Sequence, residues 1–199
     1  MKTIVFDLGA VLIDWNPRYF YRKIFTDEAE MEYFLKEICN SSWNLQMDAG
    51  KTFAQAGEEW AARYPRYAKQ IKAFDAGWQE MLGGEITKTV QLLRELKQKK
   101  YPVYALTNWS AEKFPIARQK FDFLKWFDGI VVSGEEKCVK PDPQIYHILL
   151  NRYHLQAKDC IFIDDNPVNI QAAKQLGFDA ILFTSPETLR AAFVERGLL

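Results

Sequence analysis

The chain has 199 residues, 48% of them apolar, enough for a full hydrophobic core and a smaller second module. Its 26 acidic and 26 basic side chains cancel, so no single-sign field points to nucleic acid, an anionic membrane or a polycationic partner. Cys39, Cys138 and Cys160 show neither CxxC spacing nor an even count, and Asp7 cuts the first apolar run too short for a signal peptide or membrane span. Free thiols in a reducing compartment and a cytoplasmic location are therefore expected.

In chain order, residues 3–6 are β-prone and apolar and end in Asp7-Leu8-Gly9, the pattern of a buried strand that delivers an acid into a loop. From 17 to 82 valine is absent and isoleucine scarce, while Trp43, Trp60 and Trp78 join many Phe and Tyr residues. Met31, Phe34, Leu35 and Ile38 form one apolar stripe and Tyr67, Ile71, Phe74 and Trp78 another, so this block reads as helices packed on one another. Thr26 is the expected N-cap of the first stripe, with Asp27 and Glu28 in the first turn. Gly83-Gly84 reads as a flexible exit.

Beyond that exit, Ile86, Val90, Leu93 and Leu96 stripe a helix, and residues 103–106, 129–132, 161–163 and 180–183 are short apolar strands. Helices are expected from near Ser110, Pro143 and Pro167, and residues 187–196 close the chain as an amphipathic helix. Such alternation implies the α/β class with a parallel sheet, whose ligand sits beyond the carboxyl ends of the strands. The polar residues there are Asp7, Thr107-Asn108 and Asp164-Asp165. The expected organisation is a core of 1–15 and 84–199 with a small helical cap, 16–83, inserted after the first strand and placed to act as a lid.

Each strand-end residue admits two readings. Asp7 alone could cap a turn. Asp164-Asp165 is harder to dismiss, because adjacent carboxylates at a ligand edge repel unless a cation neutralises them. Oxygen ligands without His or thiolate suit Mg²⁺. Asp165 or Asn166 could instead cap the Pro167 helix, which explains one acid and not two. Thr107-Asn108 reads either as a turn with a helix cap or as an anion cradle of hydroxyl, amide and backbone N–H groups. In Lys140-Pro141-Asp142-Pro143, Asp142 can cap a helix and leave Lys140 facing solvent or a ligand. A lysine facing the acids would supply the charge that a dianionic phosphate needs.

Four segments in order, Phe6-Asp7-Leu8-Gly9-Ala10-Val11-Leu12, Thr107-Asn108, Lys140-Pro141-Asp142 and Asp164-Asp165 with Asn169, resemble the four motifs of the haloacid dehalogenase-like hydrolases. The resemblance spans the chain and extends to the subfamily with a helical cap after the first motif. It implies a Rossmann-like parallel sheet core flanked by helices and a phosphoric monoester hydrolase that uses Mg²⁺ as cofactor on a small phosphorylated substrate. Asp7 would attack phosphorus and, with the Gly9 carbonyl and Asp165, bind the metal. Thr107 and Lys140 would hold phosphoryl oxygens and Asp164 would orient Lys140 or a metal-bound water. Asn169 would brace the acidic loop and Asn108 would add a donor near the phosphate.

One position departs from the pattern. Phosphatases of this superfamily carry a second Asp two residues after the nucleophile as general acid and base, and here that residue is Gly9. Three readings follow. A substrate with an acidic leaving group, such as a hexose 1-phosphate, or a proton from a cap residue or water would compensate; a glucose-1-phosphate phosphatase branch is similar, with Gly at this place. Alternatively Asp7 displaces halide from carbon without metal, as in a 2-haloacid dehalogenase, against which the Asp164-Asp165 pair stands. Lastly, the chain could bind a phosphorylated ligand without turnover.

Trp15, Arg18, Tyr19, Trp43 and Asn44 lie where a cap could face substrate, most of them as core, and Trp109 beside Thr107-Asn108 is the stronger candidate for substrate contact. Arg18 reads as a clamp for a second anion or as an exposed side chain near a helix start. His147 and His154 fall outside all motif segments and are assigned no catalytic role.

Overall fold

The computed structural model describes residues 2–199. In chain order β1 (Thr3–Phe6) and β2 (Ile13–Trp15) precede a helical stretch of α1 (Arg18–Tyr21), α2 (Glu28–Tyr33), α3 (Ser41–Asp48), α4 (Phe53–Arg63) and α5 (Ala68–Gly77). The chain returns through β3 (Leu82–Glu85), α6 (Thr87–Gln98), β4 (Val103–Thr107), α7 (Phe114–Lys120), β5 (Gly129–Val132) and α8 (Ser133–Glu136). It ends with α9 (Pro143–Arg152), β6 (Cys160–Asp164), α10 (Pro167–Gln175), β7 (Asp179–Leu182) and α11 (Pro186–Glu195).

Five strands form a parallel sheet in the order β5-β4-β1-β6-β7. Successive strand residues face opposite sides, and both sides are buried: Ile4 and Phe6 enter one apolar cluster, Val5 the other. Sheets covered on both faces read as continuous apolar runs, which is why these strands were visible in the sequence. After β1 the chain builds outward through β4 and β5, then crosses to the other side of β1 for β6 and β7. The carboxyl ends of β1, β4 and β6 therefore lie together at the switch point where open α/β sheets bind ligands.

The helical stretch packs on the core rather than standing apart from it. Met31, Phe34, Trp43, Phe74, Trp78 and Met81 share one apolar cluster with Ile4, Leu12, Trp109 and Phe114. Both apolar stripes expected in this block are buried, although the first breaks at a π-helical turn over Phe34–Ile38. The N-cap of α2 is Asp27, one residue later than expected, with its side chain accepting from the Ala29 N–H.

Two further expectations need correction. Gly83-Gly84 is no loose exit: both residues lie in β3, which pairs antiparallel with β2, Ile13 opposite Glu85 and Asp14 opposite Gly84. Here φ is +144° at Gly84, a conformation that favours glycine, and Gly83 lies against the Asp14 carboxylate and the Tyr19 ring. The helix expected from Ser110 begins at Phe114; Ser110 is buried and its hydroxyl accepts from the Glu112 N–H in the preceding turn. Among the described residues no helix is long and apolar enough to cross a membrane.

Candidate active site

Asp7 follows β1, and its backbone N–H still donates to the Ile163 carbonyl at 2.8 Å, so the ladder fixes where the carboxylate leaves the sheet. Asp164 ends β6, fully buried. Between them lies Lys140, whose Nζ is 2.9 Å from Asp7 Oδ1 and 2.7 Å from Asp164 Oδ2. The sequence left Lys140 facing either solvent or a ligand; it is 2% exposed. A buried ammonium must be paired, and two carboxylates hold Lys140 well above the ordinary lysine range against the opposing effect of burial.

Asp164 is saturated by protein donors. Besides Lys140 it accepts the Asn169 amide at 3.1 Å to each oxygen and the Asn166 N–H at 2.8 Å. The loop that carries Lys140 is fixed to the end of β4 by Asn108, which accepts the Lys140 N–H at 2.8 Å and donates to the Lys140 carbonyl at 3.0 Å. Asp142 caps α9 as expected. The cap of α10 is Asn166, which removes the structural duty Asp165 could have had.

Asp7, Asp164 and Asp165 each bring a carboxylate oxygen within 4.8 Å of the others. Burial, then the neighbouring Asp164 charge, raises Asp165 above the usual carboxylate range. Burial pushes Asp7 up to about 7, opposed by Lys140. Acids strained in this way are relieved by a cation, and an all-oxygen donor set fits Mg²⁺ or a similar hard ion. Thr107 at the end of β4 is fully buried, and its hydroxyl meets no partner among the described residues. Such an orphan costs about 1–3 kcal/mol unless a ligand oxygen satisfies it.

Beside these residues opens a cavity of about 220 Å³ lined by Gly9, Trp15, Asn44, Asp48, Trp109 and Asp165, together with Ala10, Trp78 and Asn108. Of the aromatic and polar candidates named from sequence, Trp15, Asn44 and Trp109 line it and Trp43 is core. Arg18 pairs with Glu32, and the exposed Tyr19 donates to Asp14. Sequence reasoning missed Asp48 and placed Trp78 only in the core. Asp48 lies one helical turn beyond Asn44, whose amide donates to it at 3.0 Å; a polar pair at i and i+4 was the only available signal.

The helix end that carries Asp48 is tied to the sheet. Ser133 at the start of α8 donates to the Asp48 carbonyl at 2.6 Å and accepts from the Trp109 N–H at 2.9 Å.

A family model of the haloacid dehalogenase-like hydrolases matches residues 1–177, and the chain belongs to that family. It is similar to a sesquiterpene phosphatase of Aspergillus oryzae, 29% identical over 195 residues covering 92% of this chain and 90% of that one. A phosphorylated carbohydrates phosphatase of Thermotoga maritima is 22% identical over 91% of this chain and 84% of its own. Among solved structures, a HAD family enzyme from Bacteroides thetaiotaomicron in complex with magnesium and inorganic phosphate superposes with a TM-score of 0.68 and 27% identity, covering 92% of this chain and 94% of that chain.

Proposed function

We propose that the protein is a Mg²⁺-dependent phosphatase that hydrolyses a small phosphorylated metabolite through an aspartyl-phosphate on Asp7. The observation that carries this reading is the buried Lys140 between Asp7 and Asp164, a cation held where a phosphoryl dianion meets a carboxylate nucleophile. Phosphoryl transfer asks chiefly for positioning and charge neutralisation, and carboxylates serve as nucleophiles for it. The phosphatase relatives and the neighbour bound to magnesium and phosphate support the same reading.

In this mechanism an Asp7 oxygen attacks phosphorus while Lys140 and the unpaired Thr107 hydroxyl hold phosphoryl oxygens. Asp164, itself clamped by Asn169 and the Asn166 N–H, fixes the Lys140 ammonium. Asn108 fixes the backbone of the Lys140 loop. Asp7, Asp165 and the Gly9 carbonyl would hold Mg²⁺, which when bound supplies positive charge against the phosphoryl oxygens. Residues 16–83 act as a cap on a core of 1–15 and 84–199, with Trp15 and Asn44 from the cap and Trp109 from the core enclosing the rest of the substrate. A hexose 1-phosphate is the specific candidate, supported by amide and carboxylate groups set among indoles in a small cavity. A reducing, cytoplasmic setting completes the reading, supported by three free, buried cysteines.

The test is phosphate release from a panel of sugar and nucleoside phosphates with and without Mg²⁺. Release that needs Mg²⁺ and disappears in Asp7→Asn is expected. Metal-independent release, or an Asp7→Asn variant as active as wild type, overturns the mechanism.

A further inference from the structure

The proton that Gly9 cannot supply has another source. We infer that Asp48, at the end of α3, is the general acid and base of the reaction, delivered from the helical insertion to the cavity that Gly9 leaves open. This inference rests on the phosphatase reading above and adds to it the proton path and the range of leaving groups.

Three observations place Asp48 there. Its side chain lines the same cavity as Gly9 and Asp165. That side chain is aimed by the Asn44 amide on its own helix, while its backbone carbonyl is held by Ser133 from the core. The space is also vacant on the other side: a Cβ built on Gly9 meets nothing within 4 Å, so no core side chain competes for the leaving group. The charged groups that face Asp48 are Asp7 and Lys140, with Asp165 across the cavity. A carboxylic acid so placed can give its proton to a leaving oxygen and later take one from water.

The steps balance. The bond from an Asp7 oxygen to phosphorus forms as the bond from phosphorus to the ester oxygen breaks. The ester oxygen keeps the electron pair and takes the proton of Asp48, leaving as an alcohol. Asp48, now a carboxylate, then takes a proton from water as the water oxygen attacks phosphorus. Asp7 departs as a carboxylate with inorganic phosphate as the product, and Asp48 is again protonated. A leaving group assisted in this way needs no acidity of its own, so the substrate class widens from anomeric phosphates to primary sugar phosphates.

The experiment compares wild type, Asp48→Asn, and Asp48→Asn combined with Gly9→Asp on glucose 6-phosphate and p-nitrophenyl phosphate, each with Mg²⁺. Asp48→Asn is expected to lose about a hundredfold or more in kcat on the sugar phosphate and only a few-fold on the aryl ester, whose leaving oxygen needs no proton. Retained turnover of the aryl ester also reports that the variant is folded. Gly9→Asp in the Asp48→Asn background is expected to restore at least part of the sugar phosphate activity. Equal losses on both esters, or no loss on the sugar phosphate, overturn the role of Asp48 while the phosphatase reading stands. No release by wild type from either ester overturns both.

Discussion

At the residue scale, the centre is defined by an imbalance of charge. One ammonium, Lys140, pairs with Asp7 and Asp164, while Asp165 completes the carboxylate cluster and Asp48 lines the adjoining cavity. Lys140 neutralises part of this and the remainder favours a hard cation. Thr107 makes a clean test because its hydroxyl has no partner among the described residues to orphan. Thr107→Val should raise the thermal stability of the free protein, because it removes a buried unsatisfied hydroxyl, while weakening inhibition by inorganic phosphate by about tenfold or more, the worth of a hydrogen bond to a charged group. An unchanged inhibition constant would remove Thr107 from the phosphate site. Asp7, Thr107 and the Asp164-Asp165 pair were legible in the sequence because each ends a continuous apolar run, where polarity has few structural uses. The burial of Lys140 was not legible: its loop carries no periodic pattern, and its partners come from strands far away in the chain.

At the element scale, α3 explains why Asp48 escaped notice. Its buried residues are Trp43 and Met47, so the pattern announces only a core-facing helix, and which group lies opposite its carboxyl end is decided by packing against α8. Ser133 is the joint of that packing, with the Asp48 carbonyl on one side and the Trp109 N–H on the other. Ser133→Ala should destabilise the fold by about 1–3 kcal/mol, since it leaves buried backbone groups unsatisfied, and should lower kcat as α3 loses its anchor. Urea unfolding and steady-state kinetics read both; a stable variant with reduced activity would confine the role of Ser133 to positioning. The shift of the α7 start from Ser110 to Phe114 has a local cause. Ser110 is buried, its hydroxyl accepts from the Glu112 N–H and its carbonyl from the Lys113 and Phe114 N–H groups, so a turn precedes the helix.

At the scale of the whole molecule, strand order converts sequence distance into proximity: residues near 7, 107, 140 and 165 meet because β1 lies between β4 and β6. Binding a cation at their meeting point links strands that pairing alone connects. Mg²⁺ should therefore raise the melting temperature, by an amount corresponding to about 2.7 kcal/mol when it is present at a hundred times its dissociation constant. Asp165→Asn should abolish most of that rise, and a chelator should reverse it in wild type. No rise in wild type would argue against a metal at these carboxylates. The ribbon of β2 and β3 has a different consequence. Because Trp15 pairs with Leu82, everything between them is, to the sheet, the loop of a single hairpin. Loop closure grows only logarithmically, by about 0.6 kcal/mol for each doubling of length. Lengthening such a loop eightfold thus costs about 2 kcal/mol, so the length of the inserted block is a small term beside the apolar contacts its helices make with the core.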